Sequence, residues 1–154
     1  MKHRFLLDEN VLHHAVKGVD EHDRPDLSAA QLICYIAENC HSITVHNLLA
    51  SRYWTHLTII KREKVKAVGI EPLFFLTQFM WNSSKLVWEH GDLPALPDGV
   101  VIPAEDVDLV RLALFSHPLF VTSDGELREA VNQSPSVNLR ALRPADAIPL
   151  AQDY

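Results

Sequence analysis

Short apolar runs alternate with longer stretches of helical periodicity along most of the chain. The apolar, β-branched and aromatic content at 5–7, 42–45, 119–122 and 137–142 predicts four strands. The intervening periodicity predicts helices at 10–18, 26–40, 46–66, 103–117 and 124–131. Strands that alternate with helices predict a single α/β domain over residues 1–154. Its expected architecture is a three-layer α/β/α sandwich around a central, mainly parallel sheet of four to five strands.

Three other segments carry weaker patterns. Residues 19–26 are polar and rich in turn formers, which predicts a solvated loop. Residues 100–102 are either a short strand or an extended approach to the next helix. Residues 143–148 are expected to form a tail after the last strand.

Residues 71–88 concentrate aromatic and large aliphatic side chains and are predicted to be helical. Because apolar residues lie on more than one face of this segment, we expect it to be buried on two sides. The core accounts for one side, and the other either forms a homodimer interface or stacks against single-stranded RNA bases. The basic run at 61–66 is either a solvated helix end or an RNA contact.

Composition narrows the function classes. The net charge of −6 argues against a broad basic face that grips nucleic acid, but it permits an enzyme that reaches a few phosphates through a bound cation. No apolar run is long enough to cross a bilayer and the N-terminal apolar core is too short for a signal peptide, so no membrane partner is expected. Cys34 and Cys40 have no metal-ligand or redox spacing, which predicts reduced thiols in a cytoplasmic protein.

Acidic residues follow two of the predicted strands. Asp8 ends the first strand, and Asp124 comes two residues after the strand at 119–122. Parallel strands joined by right-handed crossovers end at the same edge of a sheet, so we expect these two carboxylates to lie near each other. A third acidic group, Glu105, Asp106 and Asp108, begins the helix at 103–117.

Helix capping and the helix dipole explain any one of these acids, but they do not explain three that converge. Two carboxylates 4 Å apart repel each other by about 4 kcal/mol at an effective dielectric constant near 20. A divalent cation between them removes that cost. Oxygen ligands without paired cysteines favour Mg²⁺ or Mn²⁺ over Zn²⁺.

Three stretches, "FLLDEN", "DVDLVRLA" and "LFVTSDGEL", resemble in order and spacing the motifs of the PIN-domain family. The resemblance implies that Asp8, Asp106 and Asp124 are the metal-binding and catalytic acids. It further implies that Asn10 orients the first of these acids.

By the same resemblance, Thr122 lies near the metal-bound water or the phosphate, with Ser123 beside it. PIN domains are typically Mg²⁺- or Mn²⁺-dependent ribonucleases that hydrolyse phosphodiester bonds in RNA. Some are VapC-type toxins with an antitoxin partner, so RNA and an antitoxin are the implied partners.

The chain departs from the family pattern at two places. A glutamate is usual on the helix after the second strand, and here either Ser51 or Arg52 takes its place. The residue after the first aspartate is usually Thr or Ser, and here it is Glu9. Glu9 and Asp108 are therefore candidate accessory ligands. The alternative hypothesis is a catalytically degenerate PIN-like module that binds RNA or a protein partner without cleavage.

Overall fold

Five short runs, most of them apolar, pair into one sheet. The computed structural model describes residues 1–152. The strands are β1 (Arg4–Leu7), β2 (Ser42–Val45), β3 (Leu86–Trp88), β4 (Leu119–Val121) and β5 (Ala141–Leu142). The helices are α1 (Glu9–Lys17), α2 (Ser28–Glu38), α3 (Asn47–Arg62), α4 (Pro72–Phe75), α5 (Val107–Ser116), α6 (Gly125–Asn132) and α7 (Pro144–Gln152).

The sheet has the order β3-β2-β1-β4-β5, and every pair of neighbouring strands is parallel. The prediction of a parallel α/β/α sandwich is confirmed. The chain places β2 and then β3 on one side of β1, and it places β4 and β5 on the other side. The connections before and after this change of side therefore cover opposite faces of the sheet. The strand order therefore reverses between β1 and β4, where open α/β sheets bind their ligands.

The core forms where helices pack on the central strands. Phe5, Leu6 and Phe120 are fully buried in β1 and β4. The α2 helix packs against both α1 and α7. In residues 1–152, no helix combines the length and the apolar character that crossing a bilayer requires.

The aromatic segment at 71–88 differs from the single helical segment that the sequence predicts. A π-helical turn (Leu76–Met80) continues α4, and the chain then turns and enters β3 at the edge of the sheet. Phe75 and Phe79 are fully buried and lie 5.2 Å apart between ring centroids. Leu73 and Trp81 are 60% and 62% exposed. The segment thus buries one face in this chain and leaves another open.

The structure decides between the two alternatives for residues 100–102 and differs from two other expectations. Residues 100–102 form no strand, so the extended alternative describes them. Residues 143–148 are not a tail, because residues 144–148 form the first part of α7 and Arg143 immediately precedes it. The predicted strand at 137–142 shortens to two residues, preceded by a 3₁₀ turn (Pro135–Val137).

Candidate functional site

Asp8 lies at the carboxyl end of β1, where the strand order reverses, and it is fully buried. Its backbone N–H donates to the Val121 carbonyl at 3.0 Å, which continues the pairing of β1 with β4. The Thr122 hydroxyl donates to Oδ2 of Asp8 at 2.8 Å. The other oxygen, Oδ1, is buried without a hydrogen-bond partner in the described residues. One carboxylate oxygen is therefore fixed and the other is left unpartnered.

Asp124 serves as a helix cap beside this group. Its Oδ1 accepts hydrogen bonds from the backbone N–H groups of Glu126 and Leu127 at 3.0 and 3.2 Å, so it is the N-cap of α6. Its own N–H donates to the Thr122 hydroxyl at 3.0 Å. The Thr122 side chain thereby links Asp124 to Asp8. Capping accounts for one oxygen of Asp124 and positions the carboxylate at the same edge as Asp8.

Asp106 ends the 3₁₀ turn that precedes α5 and is almost completely buried. Burial is the largest cause that raises the pKa of its carboxyl from 3.8 to about 6. The neighbouring negative charges of Asp124, Glu105 and Glu9 raise this pKa further, and the Arg52 guanidinium lowers it. The Oδ2 atom of Asp106 has no hydrogen-bond partner in the described residues. Asp106 therefore belongs to the same electrostatic group as Asp124.

Glu9 joins this group from the first turn of α1. Burial and the neighbouring Glu9 carboxylate raise the pKa of Asp8 well above its ordinary value, and the charge of Asp106 raises it further. The hydrogen bond from Thr122 acts in the opposite direction. The Oε2 atom of Glu9 is also buried without a partner in the described residues. We call Asp8, Glu9, Asp106 and Asp124 the acidic cluster.

Arg52 brings a positive charge to the acidic cluster. On α3, its Nη1 lies 3.7 Å from Oε1 of Glu9, and its Nη2 donates to the Glu105 carbonyl. Ser51 is exposed, and its carbonyl accepts a hydrogen bond from the Thr55 hydroxyl one turn later. Arg52, and not Ser51, thus faces the position where the family resemblance leads us to expect a carboxylate.

Two candidate residues form no hydrogen bond to the cluster in residues 1–152. Asn10 is half-buried in the first turn of α1, and no hydrogen bond joins its side chain to Asp8 in the described part of the chain. Asp108 forms an ion pair with Arg111 at 3.0 Å. The same guanidinium donates to the carbonyls of Leu93 and Pro94, so Asp108 helps to anchor the connector before α5.

Ser123 is buried between β4 and α6 and lines a neighbouring cleft of about 140 Å³ together with Arg128 and Arg143. Glu21 closes one side of this cleft. Its Oε2 accepts from the Gly125 N–H at 2.7 Å, and its Oε1 lies 3.5 Å from the Arg128 guanidinium. Sequence reasoning missed Glu21, because a contact across 104 residues leaves no local signal.

The donor set of the acidic cluster suits a hard divalent cation. All its ligating atoms are carboxylate oxygens, and three of them, on Asp8, Glu9 and Asp106, are buried without partners. Within residues 1–152, no three carboxylate, imidazole or thiolate groups already stand close enough to hold a metal ion. The cluster therefore fits Mg²⁺ or Mn²⁺ in its chemistry, and binding requires the carboxylates to move together.

Comparisons with known proteins support the fold. No family model matches the sequence, and no curated protein matches it. Among solved structures, the chain is similar to a PilT N-terminus domain protein from the hyperthermophilic archaeon Sulfolobus solfataricus P2. That likeness has a TM-score of 0.50 at 7% identity and covers 98% of this chain and 95% of the other. The chain thus has a PIN-like fold.

Proposed function

We propose that the protein is a divalent-metal-dependent ribonuclease that hydrolyses phosphodiester bonds in RNA. The observation that carries this proposal is the set of buried, unpartnered carboxylate oxygens on Asp8, Glu9 and Asp106 at the edge where the strand order reverses. An unpaired buried carboxylate oxygen costs free energy unless a proton or a cation compensates it. A fold that gathers three of them is suited to a cation.

The residues of the chain have distinct roles in this proposal. Asp8, Asp106 and Asp124 would hold Mg²⁺ or Mn²⁺, and Glu9 would supply the negative charge that Arg52 cannot. When bound, the cation polarises a phosphodiester group and makes water more acidic. Thr122 fixes the orientation of Asp8 through its 2.8 Å hydrogen bond. Protons on the carboxyls with raised pKa values must leave before they can ligate a cation.

Mn²⁺ should serve this site better than Mg²⁺. Mg²⁺ demands near-ideal octahedral geometry, which a cluster that must rearrange around Arg52 supplies poorly. Mn²⁺ also accepts carboxylate ligands and tolerates coordination that departs from the ideal octahedron. We therefore expect slow cleavage of single-stranded RNA with Mn²⁺ and scarcely any with Mg²⁺.

A second candidate function is supported by Arg52. Its guanidinium lies 3.7 Å from Glu9 and supplies positive charge inside the acidic cluster. A site neutralised in this way by its own side chain suits a PIN-like module that binds RNA or a protein partner without cutting. This candidate and the nuclease differ in one observable, the cleavage of RNA.

Two partner proposals accompany these functions. A toxin-like ribonuclease would have an antitoxin partner. The exposed face of residues 71–88, which includes Leu73 and Trp81, would be the surface for a homodimer. Sedimentation of the purified protein tests the dimer, and co-purification with a protein encoded beside it tests the antitoxin.

Cleavage assays test the proposed function. Purified protein would be incubated with single-stranded RNA in Mn²⁺, in Mg²⁺ or in EDTA. We expect cleavage in Mn²⁺ that Asp8→Asn abolishes and that Asp98→Asn, which changes an exposed aspartate of the connector, retains. Cleavage that persists in Asp8→Asn indicates a contaminating nuclease. If no RNA is cut in Mn²⁺, the non-cleaving module replaces the enzyme.

A further inference from the structure

The structure assigns a second nucleic-acid contact to a groove on the far part of α3, which we propose binds single-stranded RNA. The groove has a volume of about 700 Å³ and lies between the carboxyl-terminal half of α3 and residues 64–76. Its rim carries Trp54, Lys61, Lys64 and Lys66. This inference rests on the proposed function only for its choice of RNA as the ligand.

The three lysines give the groove an unneutralised positive charge. All three are exposed, and none of their ammonium groups lies within ion-pair distance of a carboxylate in residues 1–152. Glu71 is the acidic residue among those that line the groove. In a chain with a net charge of −6, a groove with three lysines and one glutamate is a local site for an anion.

Trp54 and the floor of the groove supply the apolar part of the site. The Trp54 side chain is 45% exposed at the rim, whereas Leu57 and Ile60 on the same helix are buried in the floor. An exposed aromatic ring beside a row of cations matches a single strand, in which flat bases alternate with charged phosphates. A duplex keeps its bases stacked internally and cannot offer them to Trp54.

The backbone conformation at Lys64 provides a substitution that tests the groove without destabilising the fold. Lys64 closes the carboxyl end of α3 in the left-handed conformation, with φ of 52°. The Val65 N–H then donates to the Ile60 carbonyl at 3.1 Å, as in the usual glycine-terminated helix end. A lysine at this position is less stable than a glycine. Glycine at this position therefore removes the charge of Lys64 from the groove without straining the backbone.

The groove and the acidic cluster share α3. Arg52 contacts the cluster, and Trp54, two residues later, stands at the rim of the groove. A strand held in the groove thus lies on another face of the helix that borders the acidic cluster. Such a site would add affinity for RNA without contributing to the chemistry.

Fluorescence anisotropy with a labelled oligouridylate of about 12 nucleotides tests the groove. The buffer contains EDTA, so that binding is measured without cleavage. We expect Trp54→Ala to weaken binding by about fivefold to a hundredfold. Lys61→Gln and Lys64→Gly should each lower the dependence of log affinity on log salt by about 0.7. Lys64→Gly should also raise the melting temperature by about 2 to 4 °C, so weaker binding in this variant cannot be attributed to unfolding.

Matched variants outside the groove are the controls. Phe115→Ala removes another exposed aromatic side chain, on α5, and Lys2→Gln removes another exposed lysine, and neither should change the affinity. A duplex of the same length should bind more weakly than the single strand. The inference is overturned if Trp54→Ala and Phe115→Ala behave alike, if no oligonucleotide binds at low salt, or if an oligoglutamate peptide displaces the RNA at equal charge concentration.

The outcome separates the groove from the proposed function. If Trp54→Ala loses RNA binding and the wild-type protein cuts no RNA in Mn²⁺, the groove is supported and the nuclease is rejected. If Asp8→Asn abolishes cleavage but Trp54→Ala leaves RNA binding unchanged, the nuclease is supported and the groove is rejected.

Discussion

Replacing Asp106 by asparagine should stabilise the protein in the absence of metal. The Asp106 carboxyl is almost completely buried, and its pKa is raised from 3.8 to about 6. Folding at neutral pH therefore keeps a charge on a group whose surroundings favour the neutral form. The difference between these pKa values corresponds to about 3 kcal/mol of lost stability at pH 8, as an upper limit. Asparagine keeps the shape of the side chain and removes the charge.

The sign of the pH dependence follows from the raised pKa. The folded state holds the Asp106 proton more tightly than the unfolded state, so stability falls as the pH rises from about 4 to about 6 and stays low above that. The advantage of Asp106→Asn should therefore be about 3 kcal/mol or less at pH 8 and under about 1 kcal/mol at pH 4. For a chain of this length, each kcal/mol shifts the melting temperature by about 2 to 4 °C.

Thermal and urea unfolding in EDTA at pH 8 and pH 4 measure this effect. The matched control is Asp108→Asn, two residues along, where the carboxylate pairs with Arg111 at 3.0 Å near the surface. That variant should lose about 1 kcal/mol or less. An Asp106→Asn protein that is less stable than wild type at pH 8, or whose advantage does not shrink at pH 4, would refute the description of a strained acidic cluster.

Three further predictions concern neighbouring side chains. Thr122→Val should cost about 1–3 kcal/mol in urea unfolding, because it leaves an oxygen of buried Asp8 without its donor. Asp124→Asn should keep the cap of α6 and relieve the repulsion between carboxylates. Asp124→Ala loses the cap and should be less stable than Asp124→Asn by about 1 kcal/mol. Equal melting curves for the two variants would contradict the capping role. Arg52→Glu should increase Mn²⁺-dependent RNA cleavage and Ser51→Glu should not, because Arg52, unlike Ser51, contacts the acidic cluster. A gain in cleavage with Ser51→Glu alone would show that Ser51 occupies the position of the family's glutamate.

The central strands were predictable because their residues are unambiguous. Phe5, Leu6 and Phe120 lie in short apolar runs followed by polar residues, and burial on both faces of a parallel sheet requires such runs. Parallel strands joined by right-handed crossovers then end at the same edge, and the structure adds that β1 and β4 pair directly. The position of Asp8 and Asp124 at one edge required no information beyond this topology.

The edge of the sheet was harder to predict. Large apolar residues lie on both sides of the short polar stretch at 82–85, and β3 has only three residues. The sequence contains a turn-forming residue before β3, Asn82. In the structure its side-chain oxygen accepts hydrogen bonds from the Ser84 N–H and hydroxyl. At the other end, Pro144 is suited to the start of α7, but Pro149 within it argues against a helix.

The surroundings of the acidic cluster could not be predicted from local sequence. The position of Arg52 against Glu9 depends on how α3 rotates as it packs, which decides whether Arg52 or Ser51 faces the cluster. The loop at 19–26 is exposed as expected, yet Glu21 attaches it to the start of α6 through the Gly125 N–H. Both contacts join residues that are far apart in the chain, where periodicity carries no information.

Calorimetric titration of Mn²⁺ into the metal-free protein tests the central claim most directly, that the acidic cluster holds a divalent cation. Titrations at pH 6 and pH 8, each in two buffers of different ionisation enthalpy, give both the stoichiometry and the number of protons released. We expect one Mn²⁺ per chain, and more protons released at pH 6 than at pH 8, because Asp106 with a pKa of about 6 gives up its proton to ligate the ion. Asp106→Asn should remove both signals. Absence of binding in the wild type, or binding that Asp106→Asn leaves unchanged, would contradict the claim.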